Sequence, residues 1–283
     1  MKKLLIGFAL ITTLLSCQKE TNNNTQESLP AQTLNNVSYG SDPQQTMDLY
    51  LPAGRTDTTK MVIMVHGGAW VEGDKSDFNQ FVPVLQQRLP GWAIANINYR
   101  LATTFANHFP TQENDMKAAV NFLVQKSGVY KTSQKFVLLG ASAGGHMAML
   151  QAYKNASPQI RAVVNFFGPA DMVSFFNSTT EPAAQLGLQI LMGGSPTTNA
   201  GMYQQSSPIN FITPQAPPTI ILHGDTDAVV PYAQSQALQA KLQQQGVVHQ
   251  LVTYPGLGHD IWPPATMTDA FNKIELFIKA NVQ

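Results

Sequence analysis

A serine set among glycines opens the chemistry of this chain. Gly140-Ala141-Ser142-Ala143-Gly144-Gly145 lies between an apolar run, Lys135-Phe-Val-Leu-Leu139, and a helical stretch that begins at His146. In a G-x-S-x-G turn between a strand and a helix, glycine permits a bend too tight for side chains. Such a turn holds the serine hydroxyl above the strand ends and turns the positive end of the following helix toward developing negative charge. A second glycine pair, in His66-Gly67-Gly68-Ala69-Trp70, follows another apolar run. It leaves backbone N–H groups bare, and donors of that kind can hold the oxyanion formed when a carbonyl is attacked.

A serine needs a base, and the base needs an orienting acid. Six histidines are available. His108 lies in a polar loop, and His249 is in or at the edge of a strand. His146 is placed to support the serine turn, His66 to brace the glycine loop and His223 to order the loop after its strand. His259 sits in the Gly-rich segment Pro255-Gly-Leu-Gly-His259-Asp260, where an imidazole can reach the serine, and is the expected base. For the acid, His223-Gly224-Asp225-Thr226-Asp227 offers two carboxylates. Asp227 is preferred, because Asp225 is better placed to stabilise the turn through its own backbone.

These residues must be carried by strand ends. Thr46–Leu51 alternates as a half-buried strand does, and 60–65, 92–99, 135–139, 160–167, 218–222 and 249–254 read as further strands. Stretches 77–89, 112–125, 232–245 and 267–279 carry apolar residues at helical spacing. Strand–helix alternation predicts an α/β fold with a mainly parallel sheet and helices on both faces. Functional loops of such sheets sit at the carboxyl ends of the strands, where Gly67, Ser142, Asp227 and His259 all fall. Residues 172–213 form an apolar insert, readable equally as a lid over the serine or as packing helices. The bulky Trp70, Phe167 and Trp262 are expected to bound and shorten the substrate pocket.

The chain order Ser142, Asp227, His259 is that of the α/β-hydrolases. Together with Tyr99-Arg100-Leu101-Ala102, Gly140-Ala-Ser-Ala-Gly-Gly-His146 and His223-Gly-Asp-Thr-Asp-Ala-Val-Val-Pro231, the glycine loop resembles the hormone-sensitive-lipase-like and acetyl-xylan/feruloyl-type branch of the α/β-hydrolase esterases. The likeness covers nearly all of 37–283. It implies Ser142 as nucleophile, His259 as base, Asp227 as orienter, and oxyanion donors from Gly67, Gly68, Ala69 and Ala143. Two positions depart from the family pattern: Ala69 stands where a third glycine is usual, and Ala141 where many members carry an acid. The implied reaction is serine ester hydrolysis, expected on short acyl esters such as acetylated carbohydrates. It needs no metal or cofactor. An aryl-formamidase-type amidohydrolase and a promiscuous small-molecule esterase or lipase are the alternatives, and a surface binding protein on an inactive hydrolase fold is a further class.

Composition narrows the partners. Lys+Arg and Asp+Glu both number 17, charged residues make up 12 % and apolar residues 43 % of the 283. Without a basic excess there is no footprint for a nucleic-acid backbone. The single cysteine excludes internal disulfides and cysteine-based metal clusters. It stands at Leu14-Leu15-Ser16-Cys17, after a basic start and an apolar run too short to span a bilayer. That segment resembles a bacterial lipoprotein signal, which implies removal of 1–16, lipidation of Cys17 and export to a bacterial membrane, expected to be the outer membrane on its periplasmic or surface side. Residues 17–31 read as a flexible tether, leaving 32–283 as one hydrolase domain.

Overall fold

The computed structural model describes residues 28–283. The expected signal segment 1–16, Cys17 and the tether up to residue 27 lie outside the described residues.

Eight strands form one sheet: β1 (Gln32–Ser38), β2 (Thr46–Leu51), β3 (Met61–Val65), β4 (Ala93–Ile97), β5 (Phe136–Ala141), β6 (Ile160–Phe166), β7 (Thr219–Gly224) and β8 (His249–Tyr254). Their order is β1-β2-β4-β3-β5-β6-β7-β8. Strand β2 is antiparallel to both neighbours, and all pairings from β4 to β8 are parallel. This is the expected α/β-hydrolase fold. The strand missing from the sequence reading is β1, and its burial explains why. It is an edge strand, mostly exposed, with a register break between Leu34 and Val37 that interrupts any alternation.

The central strands are buried on both faces, so their side chains divide between two cores. Met61, Ile63 and Val65 of β3 face one core while Val62 and Met64 face the other. On the first side lie α2 (Thr111–Tyr130), α3 (Ala143–Tyr153) and α7 (Ala233–Gln244), through residues such as Met116, Met147 and Leu238. On the second lie α1 (Val82–Arg88) and α8 (Pro264–Asn281), through Leu85, Phe271 and Ile274. The continuous apolar runs of the sequence follow from this double coverage.

The insert after β6 folds as α4 (Met172–Ser178), α5 (Pro182–Met192), α6 (Ala200–Gln205) and a 3-10 turn at Pro208–Phe211. Met172, Phe175, Leu188, Leu191 and Met192 pack into the core. Ala183, Ala184, Leu186, Gly187 and Ile190 of α5 wall the cavity above the serine.

Candidate active site

Strand β5 runs into Ser142 and α3 begins at the next residue. Ser142 has φ 54 and ψ −122, a backbone strain of about 1–3 kcal/mol for a residue with a side chain. The turn is clamped on both sides: Ser142 N–H donates to Phe166 O (2.9 Å) and His146 N–H donates to Ser142 O (3.0 Å). Gly144 allows α3 to pass over β3, since a Cβ there would collide with the carbonyl oxygens of Val65 and His66.

The strand-end loops bring three side chains into one hydrogen-bonded line. His259 Nε2 lies 2.9 Å from Ser142 Oγ, and His259 Nδ1 lies 2.6 Å from Asp227 Oδ2. An ionised carboxylate only accepts, so Nδ1 carries the proton and Nε2 is free to receive the one on Ser142. The Phe167 ring packs against the imidazole at 4.5 Å between centroids. Asp227 is wholly buried in its side chain. Its Oδ1 accepts from the N–H groups of Val229 (2.9 Å) and Val230 (2.8 Å), and its Oδ2 also faces His223 Nε2 at 3.1 Å. Burial works to raise its pKa. The hydrogen bonds from His223 and His259 outweigh burial and bring it down to about 2. Asp225 is exposed and points elsewhere: its Oδ1 accepts from Gly256 N–H at 2.7 Å, tying the loop after β7 to the loop after β8.

The glycine loop after β3 bends through three successive left-handed residues, Gly68 (φ 103), Ala69 (φ 47) and Trp70 (φ 66). Tyr99, fully buried, donates its hydroxyl to the carbonyls of His66 (3.2 Å) and Gly67 (3.0 Å) and stacks on the His66 ring at 4.3 Å. With those carbonyls held toward Tyr99, the loop is fixed from below. The N–H groups of Gly68, Ala69 and Ala143 donate to no other backbone carbonyl among the described residues, and Gly67, Gly68, Ala69 and Ser142 line the same cavity. Ala69 accepts the left-handed conformation that a glycine takes freely, a strain of about 1–2 kcal/mol. Helix α5 approaches it through Gly187, where a Cβ would stand 3.1 Å from that of Ala69.

The cavity has a volume of about 650 Å³. Its floor is apolar and aromatic, with Phe78, Phe166, Phe167, Trp262 and Phe271, and the exposed Leu186 and Ile261 flank its mouth. Its charged lining is of one sign: Glu72, Asp77, Glu181 and Asp260, with no lysine or arginine among the described residues. Phe167 and Trp262 line the cavity. Trp70 does not. It is 2 % exposed and lies beneath the loop, donating Nε1–H to His146 Nδ1 at 3.1 Å. Its left-handed backbone turns the indole into the core, so it braces the loop and leaves the cavity wall to Val71 and α5. His146 passes the link on, its Nε2–H donating to Ser206 O (2.7 Å), and burial lowers its pKa to about 4, keeping it neutral. His108 and His249 bond to the nearby carbonyls of Thr103 and Val247, outside the line.

Sequence reasoning missed the side of Asp227 facing His223, the support from Tyr99, and the acidic lining. The i, i+4 spacing of His223 and Asp227 was the one available signal for the first. Among the described residues no cluster of His, Cys, Asp and Glu could hold a metal ion, and no helix is long and apolar enough to cross a membrane.

Known proteins resemble this chain in sequence and in fold. Esterase LipC of Mycobacterium tuberculosis is 27% identical over 263 residues, covering 86% of this chain and 64% of its own length. The probable carboxylic ester hydrolase LipM of the same organism is 26% identical over 239 residues, 79% of this chain and 54% of its length. The chain therefore spans less than two thirds of these relatives. A solved bifunctional GH43-CE protein of Bacteroides eggerthii superimposes with TM-score 0.77 at 29% identity, over 89% of this chain and 38% of that one. A truncated carbohydrate esterase from gut microbiota gives TM-score 0.73 at 26% identity, over 88% of this chain and 98% of that one. The family described as BD-FAE matches residues 47–242. With most of the sheet and the serine turn inside that match, the chain belongs to the BD-FAE family.

Proposed function

We propose that this chain is a serine carboxylic-ester hydrolase working through an acyl-enzyme. The observation that carries the reading is the unbroken line Ser142–His259–Asp227 opening into the cavity beside the unpaired N–H groups of the glycine loop. In this reaction Ser142 Oγ attacks the ester carbonyl while His259 Nε2 takes its proton. The N–H groups of Ala143 and of the 67–69 loop hold the oxyanion. His259 then protonates the departing alcohol, and water, activated by the same imidazole, releases the acid from Ser142. Asp227 keeps His259 in the required tautomer and stabilises its charged form.

The substrates are proposed to be short acyl esters, such as acetyl groups on carbohydrate. The names of the solved carbohydrate-esterase relatives support a sugar alcohol. A second reading, a bulkier aromatic acyl group, is favoured by the cavity of about 650 Å³ floored by five aromatic rings, which is more room than an acetyl group fills. A panel of nitrophenyl esters from acetyl to dodecanoyl, with an aromatic acyl ester and acetylated xylan beside it, separates the two. Short-acyl use requires kcat/KM to fall along the alkyl series and acetate to be released from the polymer. Rates that climb to dodecanoyl would remove both readings in favour of a lipase. A preference for formyl anilides over all esters would indicate the amidohydrolase.

The cellular placement proposed from Cys17 is a lipid anchor on a bacterial membrane, outer membrane included. Cys17→Ser is expected to move the protein from the membrane fraction to the soluble one with kcat unchanged. Retention in the membrane fraction would count against lipidation.

A further inference from the structure

The acid of the line has a second histidine on it. Asp227 Oδ2 receives His259 Nδ1–H at 2.6 Å and faces His223 Nε2 at 3.1 Å. The His223 side chain is wholly buried, so this contact has no exchange with solvent to weaken it. Its protonation pattern follows from its neighbours. Nε2 lies against two acceptors, Asp227 Oδ2 and Val230 O (2.9 Å), so it must carry a proton. On the other side Nδ1 lies 2.6 Å from Ser235 Oγ, a hydroxyl that can donate to it. Phe167 and Tyr232 pack their rings edgewise against the imidazole at 6.3 and 5.6 Å, which fixes its plane. Ser235 itself is set by the first turn of α7, its N–H donating to Tyr232 O at 3.0 Å.

We propose that His223, held in its Nε2–H tautomer by Ser235, is a positioning residue that fixes the Asp227 carboxylate for His259. The proposal deepens the serine-hydrolase reading and rests on it. The carboxylate has four donors on two oxygens: Val229 and Val230 N–H on Oδ1, and the two imidazoles on Oδ2. Without His223 the Oδ2 corner loses one of its two donors, and the carboxylate is freer to rotate about the Cβ–Cγ bond. The bond to His259 Nδ1 then loosens at the step where His259 becomes charged. That loss falls on turnover, while the ester still docks in a cavity that His223 does not line.

The test compares His223→Leu, His223→Gln and Ser235→Ala in the whole chain. Each is read by kcat and KM on nitrophenyl acetate and by the rate at which a fluorophosphonate labels Ser142. Gln can place an amide N–H near the position of Nε2, so it restores the donor without the ring. His223→Leu is expected to lower kcat and the labelling rate at least tenfold with KM within about twofold. His223→Gln should stay within about threefold of wild type. Ser235→Ala should lower kcat several-fold alone and add no further loss on top of His223→Gln, since the amide needs no tautomer lock. A folded His223→Leu with unchanged kcat and labelling overturns the proposal, as does a His223→Gln as slow as His223→Leu. If His223→Leu does not fold, the pair Ser235→Ala with and without His223→Gln decides: equal losses in both backgrounds, or none in either, overturn it. Failure of the fluorophosphonate to label wild-type Ser142 would instead sink the serine reading itself.

Discussion

Ser142→Ala is expected to abolish ester hydrolysis while leaving the protein folded. The magnitude follows from the geometry. Among the described residues, Ser142 Oγ is the one hydroxyl hydrogen-bonded to His259 Nε2, at 2.9 Å. With it removed, His259 and Asp227 have no group to activate. In a well-studied serine hydrolase, loss of the nucleophile alone costs about a million-fold in kcat, as much as loss of the whole triad. The remaining rate enhancement over water, roughly a thousand-fold or more there, comes from oxyanion donors and binding. The fold should tolerate the change, because the turn is held by backbone bonds to Phe166 and from His146 that alanine keeps. The checks are kcat on nitrophenyl acetate, fluorophosphonate labelling and the thermal unfolding midpoint. An unchanged midpoint with no turnover and no labelling is the expected set. Turnover within tenfold of wild type would mean that the ester is attacked by something other than Ser142.

Asp227→Asn is expected to cost on the order of ten-thousand-fold in kcat, and Asp225→Asn less than about threefold. Asparagine at 227 can still accept from Val229 and Val230 through its oxygen, so the loop keeps its shape. Its amide N–H groups then face His259 Nδ1, which now carries no proton and accepts. The proton moves to Nε2, and an Nε2–H cannot take the proton of Ser142. The corresponding change in a protease triad lowers kcat by about that factor for the same reason. Asp225 is different in kind: it is exposed and its partner is Gly256 N–H, a bond that an asparagine oxygen also accepts. Equal losses at the two positions would mean that the acid is misassigned or that both act through loop shape.

The buried parallel strands and the order Ser142, Asp227, His259 were legible because they rest on short-range signals. A strand covered on both faces must be apolar at every position, and a turn as tight as 140–145 must be built of small residues. Position in the chain, at successive strand ends, then narrowed six histidines to one. What was illegible depends on side-chain direction across long sequence separations. Trp70 lies four residues after His66 and reads as a pocket wall, but its left-handed backbone turns the indole inward to His146, 76 residues away. Strand β1 is held by pairing with β2 rather than by its own burial, so its sequence carries little strand signal. The acidic lining draws Glu72, Asp77, Glu181 and Asp260 from three separate segments, and no local pattern links them.

That one-signed lining has a consequence for the end of the reaction cycle. An ester is neutral, and the acid it yields is an anion at neutral pH. The proposed reaction therefore creates a charge inside a mouth where the described residues supply four carboxylates and no lysine or arginine. At roughly 8 Å in water each repels a like charge by about 0.5 kcal/mol, less under salt. Substrate entry does not feel this field, but product departure is driven by it. Free acetate should inhibit only weakly, and esters whose alcohol bears its own carboxylate should be turned over more slowly than neutral ones, with the gap narrowing as ionic strength rises.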